Sequence, residues 1–271
     1  MRVIVDSGGT KSAWVSSEGH HFSLDGINPN VHSKDHINSV LKAAKNQLEK
    51  ETTQIYFYGA GCSTEGNKSY LKALFQEYFN GDINIEHDLL AACRAANGNS
   101  AGLVGILGTG SNACYFDGEN IVAEKISLGY VMGDEGGGAD LGKRLIKLYV
   151  EGLLHPAIEQ KFEKQYSFGK KEIISAFYKA EKPNAFLGNF APFLLEHPED
   201  KILQAIIIDS FQAYFDFFIS PLKQHSAELN LVGSTAFYFR EHLVHLAEIN
   251  NIELKGIVKD PISALKSFHQ L

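Results

Sequence analysis

Arg2-Val3-Ile4-Val5-Asp6-Ser7-Gly8-Gly9-Thr10-Lys11-Ser12-Ala13-Trp14-Val15 reads as a buried strand, a glycine turn and a second strand. Its counterpart returns later as Leu103-Val104-Gly105-Ile106-Leu107-Gly108-Thr109-Gly110-Ser111-Asn112-Ala113-Cys114-Tyr115-Phe116. Apolar runs flanking a short Gly-rich turn are a hairpin signal. Each hairpin leads into a third strand, at 20–24 in the first case and at 121–126, after the Asp117-Gly118 turn, in the second. Beyond it, helical spacing of apolar residues alternates with short strands. In the first half the pattern gives a helix over 35–50, a strand over 55–58, a helix over 70–79, a strand over 83–86 and a helix over 88–96. In the second half it gives helices over 139–151, 171–180 and 202–219, a strand over 229–232, a helix near 235–247, a strand over 252–254 and a last helix from Pro261.

A strand–turn–strand–strand unit that recurs implies two similar α/β domains, each with a mixed sheet. The expected boundaries are 1–101 and 102–271, with the last helix free to return to the first domain. A cleft between two domains is a preferred ligand site, and both glycine turns are expected to face it.

Composition narrows the classes. The chain has 271 residues, 44% hydrophobic and 21% charged, which is a globular composition. Its 25 Lys plus Arg against 32 Asp plus Glu leave a net charge of −7, so no basic excess is available for nucleic acid. The three cysteines, Cys62, Cys93 and Cys114, form no C-x-x-C pair and are too few for an all-cysteine metal site. The most apolar stretch, 205–219, is broken by Asp209 and Asp216, which suits a buried helix and not a membrane span. No basic-then-apolar leader precedes the first strand, so a cytoplasmic protein is expected.

Four segments carry candidate chemistry. In Asp6-Ser7-Gly8-Gly9-Thr10-Lys11, adjacent glycines let successive N–H groups approach an anion, and Thr10 and Lys11 add a hydroxyl and a charge. Asp6 could hold a hydrated Mg²⁺ beside phosphates. A tight hairpin with an incidental Lys is the plainer alternative. Gly108-Thr109-Gly110-Ser111 repeats the turn without an acid, and two such turns together suggest a clamp on a polyphosphate. Val232-Gly233-Ser234-Thr235 is a strand running into a helix, either an anion or nucleotide contact or a cap by Ser234. Gly129-Tyr130-Val131-Met132-Gly133-Asp134-Glu135-Gly136-Gly137-Gly138-Ala139 places two carboxylates in a glycine-rich loop, suited to sugar hydroxyls or to plain solvation. His242 and His245 on one helix read as surface or half-buried histidines. Lys42, Lys45, Glu49 and Lys50 read as a solvated helix face, and Phe211, Tyr214, Phe215, Phe217 and Phe218 as core.

Taken in chain order, Asp6–Lys11, then Gly108–Asn112, then Gly133–Gly136, then Gly233–Thr235, the four motifs resemble the sugar-kinase branch of the actin-like ATPase superfamily. They are most similar to the N-acetylglucosamine kinases and the related BadF/BadG/BcrA/BcrD ATPase family, over essentially the whole chain. The resemblance implies two ribonuclease H-like (actin-like ATPase) domains, with ATP and Mg²⁺ as cofactors. It implies that Gly8, Gly9, Thr10 and Lys11 form one phosphate loop, with Asp6 near the metal. Gly108, Thr109, Gly110 and Ser111 form the other, with Thr109 also near the sugar, and Gly233 and Ser234 lie near the adenosine. Asn28, Asp134 and Glu135 then bind sugar hydroxyls, and Asp88 is the general base. The family often carries Asn before that Asp, where this chain has His87. On general grounds a carboxylate at a helix start is kept ionised by the helix dipole and can take a hydroxyl proton, although an Asp there is also a common N-cap.

The implied activity is phosphorylation of an amino sugar, N-acetylglucosamine to its 6-phosphate, with closure of the domains around sugar and Mg·ATP. Glucosamine is the alternative substrate. A different class, an ATPase that activates a redox partner, would place cysteines to share an iron–sulfur cluster in a dimer. A sugar sensor without catalysis is a third reading. Partners are expected to be a sugar and a nucleotide, with no nucleic acid and no membrane, and a homodimer is left open.

Overall fold

The computed structural model describes residues 1–48 and 50–271. In chain order the elements are β1 (Arg2–Ser7), β2 (Lys11–Ser16), β3 (His21–Asp25), α1 (Lys34–Gln47), β4 (Gln54–Gly59), α2 (Glu65–Gln76), β5 (Asp82–His87) and α3 (Asp88–Asn97). Next come β6 (Gly102–Leu107), β7 (Ser111–Phe116), β8 (Ile121–Glu124), a single-turn α4 (Gly129–Met132), α5 (Gly138–Glu151), α6 (Pro156–Tyr166) and α7 (Lys170–Lys179). The chain ends with α8 (Pro183–Gly188), α9 (Pro192–Leu195), α10 (Lys201–Tyr214), β9 (Glu228–Val232), α11 (Ser234–Tyr238), α12 (Arg240–Ile249), β10 (Glu253–Val258) and α13 (Pro261–Phe268).

Two five-stranded sheets form, ordered β3-β2-β1-β4-β5 and β8-β7-β6-β9-β10. The order is the same in both, which is the structural form of the sequence repeat. In the first, β1 pairs antiparallel with β2 and parallel with β4, and β4 parallel with β5. The chain divides into two compact units, one of residues 1–101, 116–121 and 260–271, the other of 102–115 and 122–259.

The first sheet is covered on both faces, so the middle of its central strand, Val3-Ile4-Val5, is apolar and buried on both. Val3, Val5, Trp14, Ile55 and Phe57 share one core with residues of α1 and α2. Ile4, Val15 and Tyr58 share a second with Ala91 of α3 and with Ile262 and Leu265 of α13. Burial of Ile262 and Leu265 contributes about 1.5–3 kcal/mol each to holding α13 in this unit. Polar contacts add to it. Arg94 Nη1 donates to Tyr58 Oη at 2.7 Å, Tyr58 Oη lies 2.7 Å from His269 Nε2, and Arg2 donates to the carbonyls of His269 and Gln270.

The second unit packs β6, β9 and helices α5 to α12 around one core that includes Leu103, Leu107, Leu145, Phe162, Phe193 and Phe211. The helix expected over 202–219 is α10 continued by a π-helical stretch, Phe215–Ile219. The run Lys201–Leu222 is long and apolar enough to cross a membrane, and half of it is buried inside the unit. Phe211, Tyr214, Phe215 and Phe218 are core, but Phe217 is 60% exposed, because it falls on the outer side of that stretch.

Other expectations shift locally. The first helix ends at Gln47, so Lys50 leaves it and pairs with Glu18, and Lys45 lies over the Phe79 ring. Glu49, grouped with them by sequence, lies outside the described residues. The helix expected over 70–79 starts five residues earlier at Glu65 and stops at Gln76, capped by Thr64. The helix near 235–247 is two helices, separated at Phe239. Helices α4, α6, α8 and α9 lie outside the helices expected from the sequence, and α4 falls in the stretch expected to be a glycine loop.

Candidate active site

In the first unit the expected residues gather at the carboxyl ends of β1, β4 and β5, where open α/β sheets bind ligands. The turn after β1 closes with Gly8 N–H donating to Lys11 O at 3.0 Å, and Gly8, Gly9 and Lys11 are exposed. Beneath it, the buried Ser7 Oγ accepts from Ile27 N–H at 2.8 Å and donates to Ile27 O at 3.2 Å. This double strap brings Gly26 against the turn. A Cβ on Gly26 would stand 2.4 Å from Gly8 O and 2.8 Å from Thr10 N, so only glycine fits. Gly26 was passed over in the sequence, since nothing local marks it as the floor of a turn sixteen positions away.

Asn28 follows directly. Its Oδ1 accepts from Asn30 N–H at 2.9 Å, an Asx turn, and its carbonyl accepts from His32 N–H at 2.9 Å. Among the described residues nothing accepts from its Nδ2, so the side chain is held by one end and offers the other.

Asp88 is the first residue of α3, and the N-cap is His87, not Asp88. His87 Nε2 lies 3.0 Å from Asp88 Oδ1, with the two side chains 18% and 31% exposed. Asp6 is half-buried at the end of β1, and burial together with the carboxylates of Asp88 and Asp260 pushes its carboxyl up to about 7. The buried Cys62 thiol is pushed up to about 12, first by burial and then by Asp88. The base expected from sequence thus lies in an acidic corner that a cation would relieve. Among the described residues no group of three or more His, Cys, Asp or Glu side chains is arranged to hold a metal by itself. A lone carboxylate completed by phosphate oxygens and water is how Mg²⁺ is usually held, and Asp6 fits that description.

In the second unit three glycine segments converge. Gly108 O accepts from Gly138 N–H at 2.8 Å and from Thr235 Oγ1 at 2.8 Å, Thr109 O accepts from Ala139 N–H at 2.9 Å, and Gly110 O from Gly108 N–H at 3.0 Å. All three carbonyls of the turn are therefore drawn into the protein. The N–H groups of Thr109 and Gly110 meet no acceptor among the described residues. The buried Ser111 Oγ has no partner there either. Carbonyls turned inward with amides left over make a concavity suited to an anion. A buried hydroxyl without a partner is uncommon, and a bound water or ion is one way to satisfy it.

Asp134 is tied to this turn. It is 8% exposed, has a left-handed φ of 62°, and its Oδ1 accepts from Ser111 N–H at 3.4 Å. Burial raises its carboxyl above the ordinary range, and Glu135 adds to the effect. One oxygen of Asp134 thus braces the turn, a duty not read from the sequence. Glu135 is half-buried.

Gly233 has φ 124°, and a Cβ there would lie 2.3 Å from Leu107 O. Gly233 is also the N-cap of the five-residue α11, whereas Ser234 caps nothing and is exposed. The side chain that ties this segment to the turn is the neighbouring Thr235, through its bond to Gly108 O. His242 binds Gln204 Oε1 at 2.9 Å through Nε2. A separate cavity of about 560 Å³, lined by residues such as Tyr130, Ile146 and Phe177, contains none of the expected residues.

No family model matches the chain. It is 25% identical to an N-acetyl-D-glucosamine kinase of Dictyostelium discoideum, over 96% of this chain and 88% of that protein. A solved structure of a candidate N-acetylglucosamine kinase from Porphyromonas gingivalis is 31% identical, with a TM-score of 0.91 over 99% of this chain and 98% of the other. Another from Chromobacterium violaceum, at 20% identity and a TM-score of 0.70 over 98% of both chains, shares the fold. So, at 11–14% identity and TM-scores of 0.52–0.55, do MamK, MreB5 and ROK sugar kinases.

Proposed function

The chain belongs to the N-acetylglucosamine kinase family on the actin-like ATPase fold, and from that premise we propose that it transfers the γ-phosphoryl group of ATP to O6 of N-acetylglucosamine. The observation that carries this reading is the turn at Thr109–Ser111, with its inward carbonyls, two amides without acceptors and a buried hydroxyl without a partner. Such a turn receives phosphate oxygens with no basic patch.

Phosphoryl transfer asks little covalent chemistry of a protein; positioning and charge stabilisation do most of the work. Asp88, at the start of α3, takes the proton of the attacking hydroxyl. Gly9, Thr10 and Lys11 hold phosphate oxygens from the first unit, where Gly8 N–H closes the loop, and Thr109, Gly110 and Ser111 do so from the second, where Gly108 N–H closes it. Asn28 Nδ2 donates to a sugar hydroxyl. Asp134, through the oxygen not used on Ser111, and Glu135 accept from others, and Gly233 and Ser234 border the adenosine. Asp6 would hold Mg²⁺, which neutralises charge on the phosphates when bound.

The redox-activator alternative finds no support in the cysteines. Cys62, Cys93 and Cys114 are all buried, so none is presented for a cluster shared between copies.

The test is ADP release from Mg·ATP with N-acetylglucosamine, glucosamine, N-acetylmannosamine and glucose in turn. Release that depends on N-acetylglucosamine supports the reading. Dependence on glucosamine alone moves the substrate, and hydrolysis indifferent to every sugar overturns the kinase assignment.

A further inference from the structure

The residue before Asp88 stands at an N-cap, a position where Ser, Thr, Asp and Asn are preferred because their side chains accept from the first helical N–H groups. His87 has the extended backbone of a cap, φ −72° and ψ 144°, yet makes no side-chain capping bond. Its ring goes instead to the next side chain, with Nε2 at 3.0 Å from Asp88 Oδ1. The other cationic groups of this region are engaged elsewhere. Lys68 of α2 is held by Glu86 at 2.9 Å and Glu65 at 3.3 Å, and Arg94, near the far end of α3, is held by Tyr58. Among the described residues Asp88 also lies within charge range of Asp6 on β1, which itself faces Asp260 at the start of α13, and of the buried Cys62 thiol.

We propose that His87 is a positioning residue for the base: its Nε2–H grips Oδ1 of Asp88, fixing the carboxylate's rotation and leaving Oδ2 for the substrate hydroxyl. This rests on the kinase reading of Asp88. With neutral imidazole the grip is a hydrogen bond. When the ring gains a second proton the grip becomes an ion pair, which stabilises the carboxylate anion and weakens it as a proton acceptor. The rate then falls as pH drops through the His87 ionisation.

The pair and its consequence are tested separately. Titration of the His87 ring by NMR reads the pair without any turnover. In Asp88→Asn its ionisation moves about one pH unit lower, because the neighbouring anion is gone. Identical titration in both proteins overturns the proposal. Kinetics read the consequence. His87→Ala lowers kcat by about 10²-fold through misplacement of the base, with both KM values near wild type. His87→Gln, whose amide keeps an N–H near the Nε2 position, recovers most of kcat and flattens the acid limb of the pH profile. Thermal melting shows that each variant is folded. Wild-type kcat and an unchanged acid limb in folded His87→Ala contradict the proposal. If the wild-type protein phosphorylates no sugar, the kinase reading falls, and the titration alone decides whether the pair exists.

Discussion

Thr235 Oγ1 donates to Gly108 O at 2.8 Å, joining the start of α11 to the turn that presents Thr109 and Gly110. The bond spans 127 residues of sequence and, with Gly138 N–H, occupies both acceptor sites of the Gly108 carbonyl. Thr235→Val keeps the shape of this 8% exposed side chain and deletes the donor. The expected cost is about 0.5–1.5 kcal/mol of stability, with a raised KM for ATP and little change in KM for the sugar. Thermal melting and ADP-release kinetics check this, and Thr235→Ser should restore both.

Gly26 is the floor of the first turn. Gly26→Ala drives a methyl into Gly8 O, and overpacking of this kind costs about 1–3 kcal/mol. Because the clash falls on the turn itself, nucleotide affinity should drop more than stability alone explains. Nucleotide titration of the folded variant well below its melting temperature measures the difference.

Asp88→Asn keeps the side chain's size and its place at the start of α3, and removes the proton acceptor. The expected kcat is about 10²- to 10⁴-fold lower, with N-acetylglucosamine binding retained by calorimetry. Near-normal turnover would take Asp88 out of the mechanism.

The latch of α13 is pH-sensitive. Burial, with Arg94 and Arg2 behind it, pushes His269 down to about 4, so the fold holds it neutral beside Tyr58. A histidine that ionises near 6.5 when unfolded and near 4 when folded contributes stability that is complete above 6.5 and lost as pH falls toward 4. After allowance for solvent screening the loss is about 1–3 kcal/mol. Melting temperature should fall across that window, and less steeply in His269→Gln.

Much of this fold was legible because the repeat is carried by strands whose residues are apolar on both faces, as Val3, Ile4 and Val5 are. Both turns were visible as glycine clusters, and the order of motifs carried the family. What escaped depends on partners distant in sequence. Gly26 matters only because Ser7 straps Ile27 beneath the turn, and Thr235 only because Gly108 lies beside it. Asp134 was visible as an acid in a glycine loop, while its bond to Ser111 N–H crosses 23 positions. Phe217 was misread because the 3.6-residue period assumed for it gives way to a π-helical turn after Tyr214.

The most direct measurement is a mass balance: ADP formed against sugar phosphate formed, with N-acetylglucosamine and Mg·ATP, the product located by phosphorus–proton NMR coupling. The account predicts equal amounts of the two, with phosphate on O6, and their joint collapse in Asp88→Asn. ADP without a matching sugar phosphate, or balanced transfer that survives the loss of Asp88, would contradict it.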